Sequence, residues 1–466
     1  MSFSLSKLST VLLLSTTFVG CAAVVKTPYQ APVVEVPQAF QTTTQGTAVD
    51  VDQFADQWWM LFNDANLNQL INQVIERNSD LAVSGIALKQ ARLQAKLTES
   101  QQGLRVGASG STGHNFDLGS GNDSARGVSL SGNVSYELDL FGKLANQTEA
   151  SRWEALATEQ DYQATAQSLI ATASNLYWQL GYLNERNSVA NANLENSKKL
   201  LSLVETQYKA GAVSGLERTQ AQQAVQSQLT TLSQIRQQIL ETRTALAVLL
   251  HQPVQQLNIV EPKRLPKIQL PKIDAGLPAE ILARRPDLQA AELRLRKALS
   301  SKDATKASYY PSISLTSSLG VSSTSLTNLL KNPALALGAN LSLPFLQYND
   351  MQRNLAISEL DYERTVLNYR KTLYQAFADV ENALSNRVEI NQQVENQRKT
   401  FELAQKTAQL NEVRYRNGAV SLKNVLDAQE SVRNSQLSLT QLQYNQYNAY
   451  VTLIQALGGS PIKNMP

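Results

Sequence analysis

Two short stretches decide how this chain is read: Tyr208-Lys209-Ala210-Gly211-Ala212-Val213-Ser214 and Tyr415-Arg416-Asn417-Gly418-Ala419-Val420-Ser421. Tyr415 stands 207 positions after Tyr208, and the same spacing carries Ala221 and Gln222 onto Ala428 and Gln429. It also carries Leu70, Arg77, Asp80 and Leu81 onto Leu277, Arg284, Asp287 and Leu288. One register held across such distant segments means that a supersecondary unit has been duplicated. In the first copy Gly211 and Gly215 allow the chain to reverse between two helices.

Outward from these turns, proline marks the long elements by its absence, with none from residue 38 to 252 or from 345 to 460. The segment 143–210 is rich in Ala, Gln, Asn, Leu and Glu and reads as one helix, roughly 100 Å long at about 1.5 Å per residue. A second helix is expected over 217–250, where Val225, Leu232, Ile239 and Leu246 recur every seventh residue with Leu229 and Leu250 beside them. A strict seven-residue repeat makes helices supercoil against partners. The second copy supplies matching helices at 348–416 and 421–457 and keeps Val432, Leu439 and Leu453. The remaining faces are mostly Gln, Ser, Thr and Asn, uncharged polar groups suited to a wet wall.

Ahead of each long helix the period changes to two. Val128, Leu130, Gly132, Val134, Tyr136, Leu138 and Leu140 alternate with Ser129, Ser131, Asn133, Ser135, Glu137 and Asp139, the pattern of a strand with one apolar face. Leu104 to Leu118 is its weaker partner across a loop at Gly119 to Ser124, giving a hairpin over 104–140. The second copy repeats the hairpin over 312–346, with strands expected at Ile313 to Val321 and Leu337 to Phe345. Each repeat, 51–260 and 261–466, therefore reads helix, hairpin, long helix, turn, helix, and the two meet near the linker Pro253 to Pro278. Strands of about ten residues have the length of a bilayer crossing. Four of them cannot close a barrel and lipid does not tolerate open edges, so a membrane-spanning reading requires a homo-oligomer. Alternation alone leaves open a soluble helical bundle capped by the hairpins.

Composition narrows the classes. Of 466 residues 42% are hydrophobic and 17% charged, with 42 basic against 39 acidic side chains, too balanced to attract nucleic acid by bulk charge. No mature segment is apolar for about 18 residues, which excludes a polytopic helical membrane protein. One cysteine and two separated histidines, His114 and His251, leave little for zinc or thiol chemistry. The chain has no G-x-S-x-G, His-Glu-x-x-His, phosphate-binding or dinucleotide-binding motif, so no enzyme and no cofactor is expected. Met1, Met60, Met351 and Met465 are scattered and suggest no soft-metal relay.

Residues 1–20 read as a secretory signal: Lys7, an apolar run through Leu14, then Phe18-Val19-Gly20 before Cys21. This resembles a bacterial lipobox, which implies lipid attached to Cys21. Ala22 in place of Asp implies the outer membrane. Residues 21–50, with Pro28, Pro32 and Pro37, are expected to form an extended tether.

Three segments carry a wider resemblance: Trp58-Trp59 with Phe62, Asp64, Leu67, Leu70 and Asn78-x-Asp80-Leu81; Gly276-Leu277-Pro278 leading into Arg284-Arg285-Pro286-Asp287-Leu288; and Tyr415-Arg416-Asn417-Gly418 leading into Val425-Leu426-Asp427-Ala428-Gln429. Pro278 suits the first turn of one helix, and Asp287 is placed to cap the next. Together they resemble the outer-membrane efflux protein family, the TolC-like channels, and its lipoprotein branch serving tripartite drug pumps. The resemblance implies an α+β membrane protein: a homotrimer whose twelve strands form an outer-membrane barrel, four per chain, continued by a periplasmic α-helical barrel with a mixed equatorial region. It implies a passive conduit for drugs or other small molecules, lipid-anchored in the outer membrane and extending into the periplasm. Its partners would be a periplasmic adaptor and an inner-membrane RND-type transporter. The adaptor would dock at the tips Gly211, Ala212, Val213, Ser214 and Gly418, Ala419, Val420, Ser421. Asp427 would form the acidic ring of a periplasmic gate, with Tyr415 and Arg416 as its latch; the first copy has Gln220 at the matching place. A type I secretion channel, or a periplasmic scaffold or adaptor lipoprotein, are the alternative functions.

Overall fold

The computed structural model describes residues 25–42, 57–116, 123–266, 284–324, 326–331 and 333–459. The expected signal 1–20, Cys21 and Pro278 lie outside them. The elements run α1 (Ala65–Arg77), α2 (Ser79–Ser100), β1 (Arg105–Phe116), β2 (Asp123–Leu138), α3 (Lys143–Lys209), α4 (Gly215–Leu249), α5 (Pro286–Ala307), β3 (Ser312–Ser323), β4 (Pro333–Ser342), α6 (Tyr348–Arg416) and α7 (Leu422–Ala456). Contacts divide the chain into two compact units. The first takes residues to 34, 86–160 and 287–372; the second takes 35–85, 161–286 and 373 onward. Each unit draws on both repeats, so a repeat is not a packing unit.

The first unit contains the sheet and the beginning of the N-terminal segment. Residues 26–37 have neither helix nor strand, but they are strapped down. Thr27 donates from its N–H and its hydroxyl to the two oxygens of buried Asp303 on α5, at 2.7 and 2.8 Å. Lys26 pairs with Glu149 at 2.7 Å. The Arg296 guanidinium lies 4.4 Å from the Tyr29 ring centroid, and burial, with Glu292 nearby, pushes the Tyr29 hydroxyl up to about 12.

The second unit is built on aromatic packing. A 3-10 turn, Trp58–Phe62, buries Trp58, Trp59 and Phe62. Phe62 lies 4.6 Å from Trp178 and 5.4 Å from Tyr450, and Trp178 lies 5.0 Å from Tyr447. Asp64 caps α1 through the N–H groups of Asn66 and Leu67 and accepts the Tyr177 hydroxyl at 3.0 Å. Leu67, Leu70, Ile71 and Val74 are buried along one stripe of that helix. The single helix expected before the first hairpin breaks at buried Asn78, whose amide donates to Leu249 O and accepts from Leu81 N. In α4 the seven-residue positions Val225, Leu232, Ile239 and Leu246 are buried, whereas Leu229 is exposed.

Residues 41 and 42 also belong to this unit and grip Glu381: both backbone N–H groups and the Thr42 hydroxyl donate to its carboxylate at 2.8–2.9 Å. Slight burial would raise the Glu381 pKa, but these hydrogen bonds outweigh it and hold the carboxyl below its usual value. A depressed carboxylate stabilises above its unfolded-state pKa and loses that contribution as pH falls through the folded value. Hydrogen-exchange protection at Gln41 and Thr42 should therefore fall on acidification below the ordinary Glu range. In Glu381→Ala it should be low already at neutral pH.

Three local expectations are corrected. Helix α5 begins at Pro286, so Asp287 is inside its first turn rather than the cap. A proline loses nothing there, because first-turn N–H groups have no helical acceptor. Strand β2 starts at Asp123, within the expected loop, because β1 pairs with it as far as Phe116. Strand β4 spans Pro333–Ser342 instead of 337–345, since Pro344 opens a 3-10 turn through Leu346.

Candidate functional site

The four strands form one antiparallel sheet in the order β1-β2-β3-β4. Partners in register share a face, and the register Val106↔Val134, Leu130↔Val321, Tyr136↔Leu315 and Leu319↔Leu335 gathers the apolar positions on one side. That side is bare: Leu315, Leu319, Leu335, Leu337 and Leu341 are all exposed. The opposite side is hydroxyl-rich, with Ser109 bonded to Ser131 at 2.9 Å, Ser111 to Ser129 at 2.8 Å, and Asn133 aligned with Ser318. Its charges among the described side chains are Arg105 and Glu137, of opposite sign. Within the chain, β1 and β4 each keep one unpaired edge. An exposed apolar face backed by a polar one is the cross-section of a lipid-facing barrel wall.

Each of the two helical hairpins in the second unit ends in a tight turn. Gly211 and Gly418 both take φ 71°, the left-handed conformation that closes a helix. Ala212 N bonds back to Gln207 O at 2.9 Å and Ala419 N to Arg414 O at 2.8 Å. A Cβ at either glycine would meet no atom of the described residues within 4 Å, and the left-handed backbone is what requires glycine there. Gly215, by contrast, is the first residue of α4.

The tips share a backbone but present different surfaces. Ser214 forms a capping box with Glu217, and its hydrogen bond holds that carboxyl below the usual range. Ser421, at the matching position, makes no such cap bond. Leu216 is exposed on the first tip where the second has Lys423. Ala212, Gly418 and Ala419 are exposed, while Val213 and Val420 are half-buried.

The expected gate residues are only partly brought together. Tyr415 donates its hydroxyl to Gln207 Oε1 at 2.9 Å, tying the second hairpin to the first. Val204, Ala221 and Leu422 form a buried cluster there, with Leu200, Leu201, Val213, Tyr415 and Leu426 packed on it. Arg416 pairs with Glu412 on its own helix. Asp427 is exposed and pairs with Lys423, a neighbour overlooked in the sequence although the i,i+4 spacing displays it. A groove of about 440 Å³ opens beside them, lined by Lys199, Glu412, Tyr415, Arg416, Gln429 and Arg433. Nothing in the sequence pattern pointed to Gln207.

Among curated proteins, the chain is 31% identical to the toxin and drug export protein A of Aggregatibacter actinomycetemcomitans, covering 98% of each chain. It is 30% identical to the cation efflux system protein CusC of Escherichia coli, covering 92% of this chain and 94% of the relative. A crystal structure of CusC, described with transmembrane channel formation, superposes with a TM-score of 0.80 at 28% identity over 93% of this chain and 99% of that one. The probable outer membrane lipoprotein SilC of Salmonella typhimurium is 29% identical, covering 96% of this chain and 97% of the relative. The family model described as outer membrane efflux protein matches twice, at residues 70–251 and 277–459. With a bare apolar sheet face, a hydroxyl-rich reverse and paired helical hairpins, this chain belongs to the outer membrane efflux protein family and is an efflux channel of the outer membrane.

Proposed function

We propose that the chain works as a homotrimer in a tripartite pump, anchored by lipid on Cys21, and carries drugs or other small organic molecules outward. The observation that carries this reading is the sheet with two unpaired edges: three copies supply twelve strands, and β4 of one chain meets β1 of the next. Energy comes from an RND-type transporter in the inner membrane, reached through a periplasmic adaptor docked at the tips 211–214 and 418–421. Small residues at those tips permit close backbone approach. The scattered methionines favour organic cargo over soft metal ions. Native mass of the detergent-purified protein and its conductance in a planar bilayer test the reading; a monomer without conductance would refute it.

Asp427 is the proposed gate residue, with Tyr415 and Arg416 as latch. Three carboxylates around one axis attract cations, and each Lys423 ammonium partly neutralises its own Asp427. Asp427→Ala should raise resting conductance and weaken block by divalent cations. Lys423→Ala should strengthen that block. Opposite signs for these variants distinguish a ring of interacting charges from loss of an ordinary surface pair, which would move both the same way.

A further inference from the structure

We infer that each chain carries a cargo subsite on the lumen face of its first unit, a hydrogen-bonding groove that takes uncharged polar organic molecules of drug size. This rests on the trimeric, lipid-anchored reading above. The groove measures about 910 Å³ and lies among α2, α3, α5 and α6. Ion pairs join neighbouring helices of this wall: Arg152 to Glu99 between α3 and α2, Glu154 to Lys297 between α3 and α5, and Lys302 to Glu359 between α5 and α6.

The duplication shows which way the groove faces. Gln94 and Thr98 on α2 and Gln101 just past its end line it, and so do the residues 207 positions later, Ser301 and Thr305 on α5 and Ser308 just past its end. Gln147, Ser151 and Glu154 on α3 recur in the same way as Asn354, Ser358 and Asp361 on α6. A cleft at a head-to-tail seam is lined by different faces of the two copies, whereas the axis of a closed ring is faced by equivalent positions of every copy. The N-terminal strap gives the same sidedness. Asp303, which holds Thr27, stands two residues from both Ser301 and Thr305, so at about 100° per residue it lies on the opposite face of α5 from the groove. Arg296, beside the Tyr29 ring, shares that opposite face. A lipid on Cys21 sits in the bilayer outside the barrel, so the strap that follows it comes down the outer surface and the groove opens to the lumen.

The lining forms hydrogen bonds and balances its charges. Glu154 is paired with Lys297 at 2.8 Å and Asp361 with Arg364 at 2.9 Å. The Gln94, Gln101 and Gln147 amides engage no partner among the described residues. An amide or a hydroxyl can both donate and accept, which suits carbonyl, amide and hydroxyl groups rather than a formal charge. The first copy carries these long glutamines and the second the shorter Ser301, Ser308 and Asn354, so each chain offers a recess flanked by amides. Ile357, 56% exposed, adds an apolar contact. The volume is that of a small-molecule site. Because water competes for every one of these groups, cargo is held briefly, as conduction requires.

Single-channel recording on the full-length trimer tests this, with chloramphenicol as a neutral probe bearing hydroxyls and an amide, and ethidium as a cationic one. The wild-type channel should show transient, saturable blockades by chloramphenicol. Gln94→Ala with Gln147→Ala should shorten them several-fold, and so should Ser301→Gln with Ser308→Gln, which fills the recess. Gln94→Glu with Gln147→Glu should shorten chloramphenicol blockades and lengthen those by ethidium, a divergence that a merely structural lesion does not produce. A conducting wild-type channel without chloramphenicol blockades, or blockades of equal length in these variants, overturns the inference and leaves the trimeric reading standing. Shortening of both probes' blockades by the glutamates overturns it as well. A wild-type protein that forms neither trimer nor channel defeats the trimeric reading, and this inference with it.

Discussion

Arginine at Leu319 and at its cross-strand partner Leu335 removes the channel from the outer membrane. Both leucines lie on the apolar face, Leu319 in the central part of β3 and Leu335 near the start of β4, and are exposed, at 58% and 67%, in the isolated chain. An arginine on the lipid face costs about 2–4 kcal/mol near the bilayer midplane and about 0–1 kcal/mol near the interfaces, so the pair costs about 2–5 kcal/mol per chain. That is a large share of the whole stability of a typical domain, about 5–15 kcal/mol, and repulsion between adjacent like charges adds to it. Ser318→Arg, one residue away on the hydroxyl face, should insert normally and alter only ion selectivity. The measurement is the heat-modifiable oligomer band in outer-membrane fractions. Equal loss from Leu319→Arg and Ser318→Arg would mean that the two faces have been assigned wrongly.

The second large effect is expected in the aromatic core. Trp178 is fully buried between Phe62 and Tyr447, and its indole N–H has no acceptor among the described residues. Trp178→Ala should lower stability by about 3–5 kcal/mol through lost packing and the cavity left behind. Trp178→Phe retains most of the contact and removes the unpaired donor, so its loss should be much smaller. Thermal unfolding of the detergent-purified protein reads both. Similar losses from the two variants would show that the indole nitrogen, not ring volume, sustains the site.

Periodicity made the long elements legible in the sequence. A 67-residue helix without proline and strands alternating leucine with serine offered few other conformations. The element ends were less legible because their causes are not periodic. The alternation Leu341, Leu343, Phe345 continued past the point where Pro344, lacking an N–H, leaves the ladder. Asn78 breaks a helix by satisfying a carbonyl in another segment, Leu249, which local sequence cannot announce. The tip glycines stood out because duplication showed them twice. The tips nonetheless differ, with exposed Leu216 opposite Lys423 and Ser421 lacking the cap bond that Ser214 makes. Gln207 escaped notice for a related reason: its partner Tyr415 is recruited across the two copies, not within one.

The central ladder of the sheet joins Leu138 to Ile313, so strands made far apart in synthesis must meet before the hairpins become one surface. Closing a flexible segment of that size costs entropy on the order of 4–5 kcal/mol beyond a constant term. The first helical hairpin, α3 with α4, lies inside that segment, and once its helices coil against each other the free length to be closed shrinks to the linkers. High contact order slows sheet formation, whereas helical contacts form rapidly. The helical hairpin thus acts as a scaffold for the membrane sheet: a chain slow to coil would present two separate leucine-faced hairpins to the periplasm, where holdase chaperones and proteases compete for them.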